Sequence, residues 1–246
     1  MGYAILRVEK IKSVVAANGR LKHNRRQTAC LTTNPGKKNV CVILNEQMRK
    51  DKHKSFREIF HERVKGQKIR KNAVIAVETV HTFTNGSINS EEKLRDWVYA
   101  NVKWLKDTFD ENNIISCQLH RDQKVPHLHC ILILRDPKGK LSTRSYLGGT
   151  RSVMANLQTS YAKAMEPFGL ERGISREITK SRHQSTKRWL NMQAEKEARL
   201  SAYETKFGTE DTWDFDDVLE FRKALRKDET KPPVDLKDDR IPELSK

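Results

Sequence analysis

The segment Gln118-Leu-His-Arg-Asp-Gln-Lys-Val-Pro-His-Leu-His-Cys-Ile-Leu-Ile-Leu134 gathers His120, His127 and His129, with Asp122 and Pro126 between them. Leu128 to Leu134 is an apolar run closed by Arg135-Asp136-Pro137, the pattern of a buried strand. Side chains two apart on a strand share a face, so His127 and His129 point the same way. Residues 114–120 read as a second strand, and the short polar link makes the two a hairpin that brings His120 beside the others. A single buried histidine is usually an ordinary core residue. Three of the chain's eight within ten residues is a different pattern. Three neutral imidazoles that leave coordination positions open form a catalytic metal site, and ligand softness alone favours zinc, iron, cobalt or nickel. The same parity turns Cys117 and Cys130 away from the imidazoles and into the core.

The elements that must position this hairpin can be read along the chain. Strands are expected at 3–8, 39–44 and 73–84, the last ending at Asn85-Gly86. Residues 14–34 are polar and basic around Lys22-His23-Asn24-Arg25-Arg26. Phe56, Ile59, Phe60 and Val64 at helical spacing predict a basic helix within 46–71. Ser90 caps a helix to Phe109, with Leu94, Trp97, Val98, Asn101, Leu105 and Phe109 as its mainly apolar stripe. A further amphipathic helix over 152–168 stops at Gly169. The expected fold class is therefore α+β: a central antiparallel β-sheet flanked by helices, with the histidine hairpin in its middle. Past about residue 180 the character changes, to an exposed helix over 185–206, a short amphipathic helix over 214–227, and a charged tail with three prolines. The expected domains are 1–190 and a helical extension and linker at 191–246, read as the start of a further C-terminal region.

Charge narrows the partners. The 246 residues carry a formal +16, but residues 1–190 hold +20 and the remainder −4. A field of that size on the part with the histidines attracts polyanions, nucleic acid first among them. No basic amphipathic helix with aromatic anchors argues for a membrane surface. No run of 18 apolar residues spans a bilayer, and the N-terminus lacks a signal-peptide pattern. Four cysteines without CxxC spacing fit free thiols in a reducing, cytoplasmic compartment.

With these residues laid out, the chain resembles the Mob/Pre (MobV-type) plasmid mobilization relaxases of the HUH endonuclease superfamily. Lys22-His23-Asn24-Arg25-Arg26 is similar to the family's His-Asn-x-Arg element, and Ile69-Arg70-Lys71-Asn72-Ala73-Val74 to its Arg-Lys-Asp-Ala-Val segment. His120-Arg-Asp-Gln-Lys-Val-Pro-His-Leu-His129 is close to His-x-Asp-Glu-x-x-Pro-His-x-His, and Gly169-Leu-Glu-Arg-Gly173 is similar to another family segment. The resemblance implies a bacterial, cytoplasmic relaxase that nicks one strand at a plasmid origin of transfer, stays on the 5′ phosphate, and later rejoins the strand. It implies His23 as a nucleophile forming a phosphoramidate. His120, His127 and His129 would hold a divalent metal, Mn2+ or else Mg2+ or another transition metal. Arg26 would steady the phosphate, and Asp122 and Gln123 would complete the catalytic set. DNA, single-stranded around the nick, would be held by Arg25, Arg70, Lys71, Arg172, Arg182, His183 and Lys187. The C-terminal region would serve self-association or the conjugation machinery.

One departure matters: the family's Glu is Gln123 here, and an amide cannot take a proton as a general base. Asp122 is then the carboxylate left to orient a metal-bound histidine or accept the proton from His23. Two rival readings stay open: a tyrosine-type HUH replication or transposition nuclease using Tyr3, Tyr99, Tyr146 or Tyr161, and an origin-DNA-binding protein that no longer cleaves. A zinc hydrolase of small molecules leaves the +20 unexplained.

Overall fold

A computed structural model describes residues 2–28, 36–149 and 151–174, with isolated positions beyond. The chain divides into units 1–175 and 176–246, and the architecture that follows belongs to the first. In order it comprises β1 (Gly2–Ile11), α1 (Val14–Asn24), β2 (Val40–Cys41), α2 (Glu46–Asp51), α3 (Phe56–Arg63), β3 (Ala76–Phe83) and α4 (Glu91–Phe109). Then come β4 (Ile114–His120), β5 (His127–Leu132), α5 (Arg144–Leu147), α6 (Arg151–Met165) and β6 (Leu170–Arg172).

The strands form one sheet in the order β2-β4-β5-β3-β1-β6. All neighbours pair antiparallel except β1 and β6, which run parallel with Gly2 opposite Leu170. The central strands are antiparallel as expected, and the edge strand β6 makes the sheet mixed: the chain reaches the β1 edge by way of α6, which delivers β6 in the same direction as β1. The histidine hairpin β4–β5 lies one strand in from the β2 edge.

Each face has its own core. Trp97, Leu105 and Phe109 of α4 and Tyr161 and Met165 of α6 bury against Leu6, Val77, Cys117, Leu128, Cys130 and Leu132. On the other face Ala17 and Leu21 of α1 and Phe56, Ile59 and Phe60 of α3 cover Ile11, Ala76, Ile131 and Ile133. Burying each large side chain stabilises the fold by about 1.5–3 kcal/mol, which anchors both helical layers.

Register defines what stands beside what on the α1 face. His120 pairs with His127, and His129 with Gln118 on one side and Val80 on the other. Gln118 pairs in turn with Cys41, and Val80 with Arg7, so one row reads Cys41, Gln118, His129, Val80, Arg7. The row beneath contains Ile131, Glu78 and Glu9.

Several elements differ from the sequence reading. The polar stretch 14–34 holds α1, begun by Ser13, whose hydroxyl accepts from the Ala16 amide. The helix expected in 46–71 is two, because Ser55 and Glu58 form a reciprocal capping box that starts α3 afresh. The strand expected at 39–44 is reduced to Val40–Cys41. α4 begins at its Ser90 cap, and α6 ends through a short 3-10 turn at Gly169 (φ 69°), as expected. Of the helix expected over 185–206, Met192, Ala194, Glu195, Ala198 and Ser201 are described and helical, and the helix expected over 214–227 lies outside the described residues.

Candidate active site

The last turn of α1 hangs over the histidine rows. Its C-terminus closes with Arg25 N–H on the Leu21 carbonyl and Gln27 N–H on the Lys22 carbonyl (2.8 Å), a Schellman-type end. Arg26 takes the left-handed position at φ 56°, where glycine is usual. The strain of a side chain there is about 1–2 kcal/mol. It is offset by a two-pronged ion pair: Arg26 Nε donates to Asp122 Oδ2 at 2.9 Å and Nη2 to Oδ1 at 2.7 Å. His23 therefore projects from a fixed helix end, its ring centroid 6.3 Å from that of His120 and 6.2 Å from that of His129.

Each of the three histidines has one nitrogen committed. His120 Nε2 donates to the Asn24 carbonyl (2.8 Å), His127 Nδ1 to the Val125 carbonyl (2.9 Å), and His129 Nδ1 to Glu78 Oε1 (3.0 Å). Carbonyl and carboxylate oxygens only accept, so the protons sit on these nitrogens. That leaves Nδ1 of His120 and Nε2 of His127 and His129 with free lone pairs. His120 Nδ1 is buried with no hydrogen-bond partner among the described residues, an acceptor that a cation would satisfy. The three potential ligand atoms lie within 4.8 Å of one another. Outer hydrogen bonds that fix tautomer and ring orientation are the usual support of a metal-binding imidazole.

Burial keeps the His120 and His127 rings neutral. Burial pushes His120 down to about 3 and His127 to about 4, with the charge of His129 acting in the same direction. Burial, Arg26 and His129 also lower His23, so it has a free lone pair at neutral pH. Arg26 Nη1 lies 3.4 Å from His23 Nε2, and since a guanidinium only donates, the lone pair is on Nε2.

Glu78, which the sequence reading did not single out, is the hub. Burial would raise its carboxyl, but hydrogen bonds from His129, Asn24 and Arg20 prevail and hold it at about 2. Asn24 Nδ2 donates to Glu78 Oε1 at 2.9 Å, and Arg20 bridges Glu78 and Glu9. Asp122 is likewise buried, and the bonds from Arg26 and Asn39 hold it at about 2.

A model of the Mob/Pre family, described as "plasmid recombination enzyme", matches residues 1–191. The chain belongs to the Mob/Pre family. A 65 kDa protein of Zymomonas mobilis is 34% identical over 191 residues, which is 76% of this chain and 32% of that protein. A plasmid recombination enzyme type 3 of Staphylococcus aureus is 25% identical over 75% of this chain and 46% of its own length. The chain thus spans less than half of these curated relatives. Among solved structures, the MobM relaxase domain bound to plasmid oriT DNA, with manganese, superposes with a TM-score of 0.64 at 22% identity. The match covers 78% of this chain and 98% of that domain, so the two share a fold.

Against this Mob/Pre frame the expected site residues separate into groups. His23, Arg26, Asp122, His120, His127 and His129 converge, and Gln123 lies half-buried in the same β4–β5 link. Arg25 turns inward, with Nη1 on the Lys54 carbonyl (2.6 Å) and Nη2 on the Asp51 carbonyl (3.1 Å), so it braces α1 against the loop after α2. Arg70 and Lys71 are exposed ahead of β3, at the end of the strands away from His127. Arg172 is exposed on the edge strand β6. Arg182, His183 and Lys187 lie outside the described residues. Of the tyrosines weighed as nucleophiles, Tyr161 is sealed beside Trp104 and His81, Tyr146 hydroxyl donates to the Arg135 carbonyl, and Tyr99 stands on α4 behind the sheet. Tyr3 is exposed on β1. The cysteine parity argument holds: Cys117 and Cys130 lie in the α4–α6 core with sulfurs 3.4 Å apart. Among the described residues no helix is long and apolar enough to cross a membrane.

Proposed function

We propose that this chain is the nicking and joining domain of a plasmid mobilization relaxase, acting on one strand of origin-of-transfer DNA through His23. The observation that carries the reading is the helix end that holds a neutral His23 about 6 Å, ring to ring, from His120 and His129. Family membership and the shared fold with the MobM relaxase domain support it.

His23 Nε2 would attack phosphorus in line, forming a P–N bond as the bond to the 3′ oxygen breaks; that oxygen takes a proton from solvent, the imidazole gives up its Nδ1 proton to solvent in exchange, and the 5′ phosphate stays on the ring. Arg26 points a donor at Nε2, and an arriving phosphate oxygen would take that donor and release the lone pair for attack. A divalent ion held by His120, His127 and His129, Mn2+ by analogy with the MobM complex, would supply Lewis-acid stabilisation of the charge growing on the non-bridging oxygens. Asp122 serves to position Arg26, since a carboxylate held at about 2 is a poor proton acceptor near neutrality. Rejoining is the reverse attack by a 3′ hydroxyl and needs no external energy source. The wider basic surface, Arg70, Lys71 and Arg172 included, would hold flanking DNA, with affinity falling steeply as salt rises. Residues beyond 190 would serve self-association or docking to the conjugation machinery.

The test is incubation with a supercoiled plasmid carrying the origin beside the gene, plus Mn2+, for wild type and His23→Ala. Protein-linked nicked DNA, acid-labile and alkali-stable and absent with His23→Ala, is expected. An adduct that survives His23→Ala would point to Tyr3, and origin binding without any adduct to a non-cleaving protein.

A further inference from the structure

Beside the histidines, on the β2 side, the sheet floor drops into a cavity of about 190 Å³, room for roughly six waters. Its floor includes Gln118, Cys41 and Ser116, and Arg25, Lys52 and His53 stand on its walls with no acidic residue among them. Gln118 lies between Cys41 and His129 in one cross-strand row. Neighbouring strands are about 4.8 Å apart, so the cavity floor begins one strand spacing from a metal-competent imidazole.

The polar floor is poorly served from within. Gln118 is only 8% exposed, yet its amide nitrogen has as partners the Cys41 sulfur (3.1 Å) and, at the limit of hydrogen bonding, the Ser116 hydroxyl (3.5 Å). Sulfur is a weak acceptor, so a ligand offering an oxygen or ring nitrogen would exchange a weak bond for a full one. Ile43, Ile115 and Met48 add apolar wall. A flat, polar-edged ring with an anionic tether matches these properties together: the amide reads the ring edge, the apolar wall takes its face, and Lys52 meets the tether.

We propose that this cavity is a nucleobase pocket, which takes the base of a nucleotide next to the scissile phosphate and reads its edge through Gln118. It rests on the relaxase reading, which places that phosphate at His23. A base drawn off the DNA stack leaves its neighbouring phosphodiester extended toward the histidine rows, so seating the base sets the register of the nick. A primary amide makes its best paired contact with adenine, donating to N7 and accepting from N6, so adenine is the preferred occupant.

The experiment uses the full chain and single-stranded oligonucleotides spanning the nick mapped with wild-type protein, each with one abasic site stepped along the strand. Binding is measured for wild type and Gln118→Leu, and alkylation of Cys41 is followed by mass spectrometry with and without each oligonucleotide. One position within two nucleotides of the nick should weaken wild-type binding about tenfold when abasic and have little further effect in Gln118→Leu. The intact oligonucleotide should protect Cys41 and the one abasic there should not. Cys41 protection is read on unaltered protein, so a folding defect in Gln118→Leu cannot mask the result. Tight binding with no protected Cys41 and additive effects at every position would overturn the pocket alone. Absence of any protein-dependent nick to map would overturn the relaxase reading and the pocket with it, and failure of every oligonucleotide spanning a mapped nick to bind would overturn the pocket alone.

Discussion

Arg26 and Asp122, 96 residues apart in sequence, are joined by two parallel hydrogen bonds of 2.9 and 2.7 Å that pin the end of α1 to the link between β4 and β5. Their side chains are 16% and 7% exposed, so the pair is largely withdrawn from water. Removing one partner from a buried pair costs about 3–5 kcal/mol, and Arg26→Ala should lose an amount toward the lower end of that range by urea denaturation. Arg26→Gly should lose about 1 kcal/mol less than Arg26→Ala, because glycine relieves the φ of 56°. Equal losses would mean the left-handed backbone carries no strain.

Glu78→Gln keeps the side chain's shape and removes its charge. Outer partners of metal-binding histidines are typically worth about 10–100-fold in affinity, and a loss of that size for Mn2+ is expected by calorimetry, with the circular dichroism spectrum unchanged. Unaltered affinity would deny Glu78 its part in orienting His129.

Acid should weaken the fold steadily. The unfolded chain protonates His81, His120 and His127 below about 6.5, whereas the folded rings resist until about 3, 3 and 4. The unfolded state therefore binds more protons across that window, and stability falls as pH drops through it. Glu78 and Asp122, both held at about 2, add stability that is present above roughly pH 4.5 and lost as pH falls toward 2. A urea midpoint that stays level from pH 6.5 to 4 would contradict this. At pH 7, Mn2+ at a hundredfold excess over its Kd should stabilise by about 2.7 kcal/mol, and a chelator should reverse the gain.

Cys117 and Cys130 should be inert in the native protein. Both are fully buried, and burial pushes the Cys130 thiol well above its usual range. Alkylation read by mass spectrometry should leave both unmodified until denaturant is added. Fast native labelling of either would mean that the β4–β5 hairpin opens readily.

What could be read in the sequence was what depends on near neighbours. The two-residue spacing of His127 and His129 fixes their common face whatever surrounds them, and the short link to His120 leaves little freedom. Glu78 was not legible because its place beside His129 is set by the β3–β5 register, a long-range pairing without a local mark. α1 is faint in the sequence for a different reason: Val14, Ala17 and Leu21 make a thin apolar stripe in a basic stretch, although Ser13 is a readable cap. The break between α2 and α3 has its signal in Ser55 and Glu58, which a reading by apolar spacing does not register. The parallel pairing of β6 has no local signature, being a consequence of where α6 sets the chain down.

Asn24 has one further consequence. Its carbonyl holds His120 and its amide holds Glu78, which in turn holds His129. The residue next to His23 is thus a common joint for two of the three rings opposite it. A designer exchanging Lys22–Arg26 with the matching segment of a distant relative would be changing the support of two of the three histidines as well as the proposed nucleophile. Chimeras cut between α1 and β3 should fail more often than those that carry both sides of the joint from one parent.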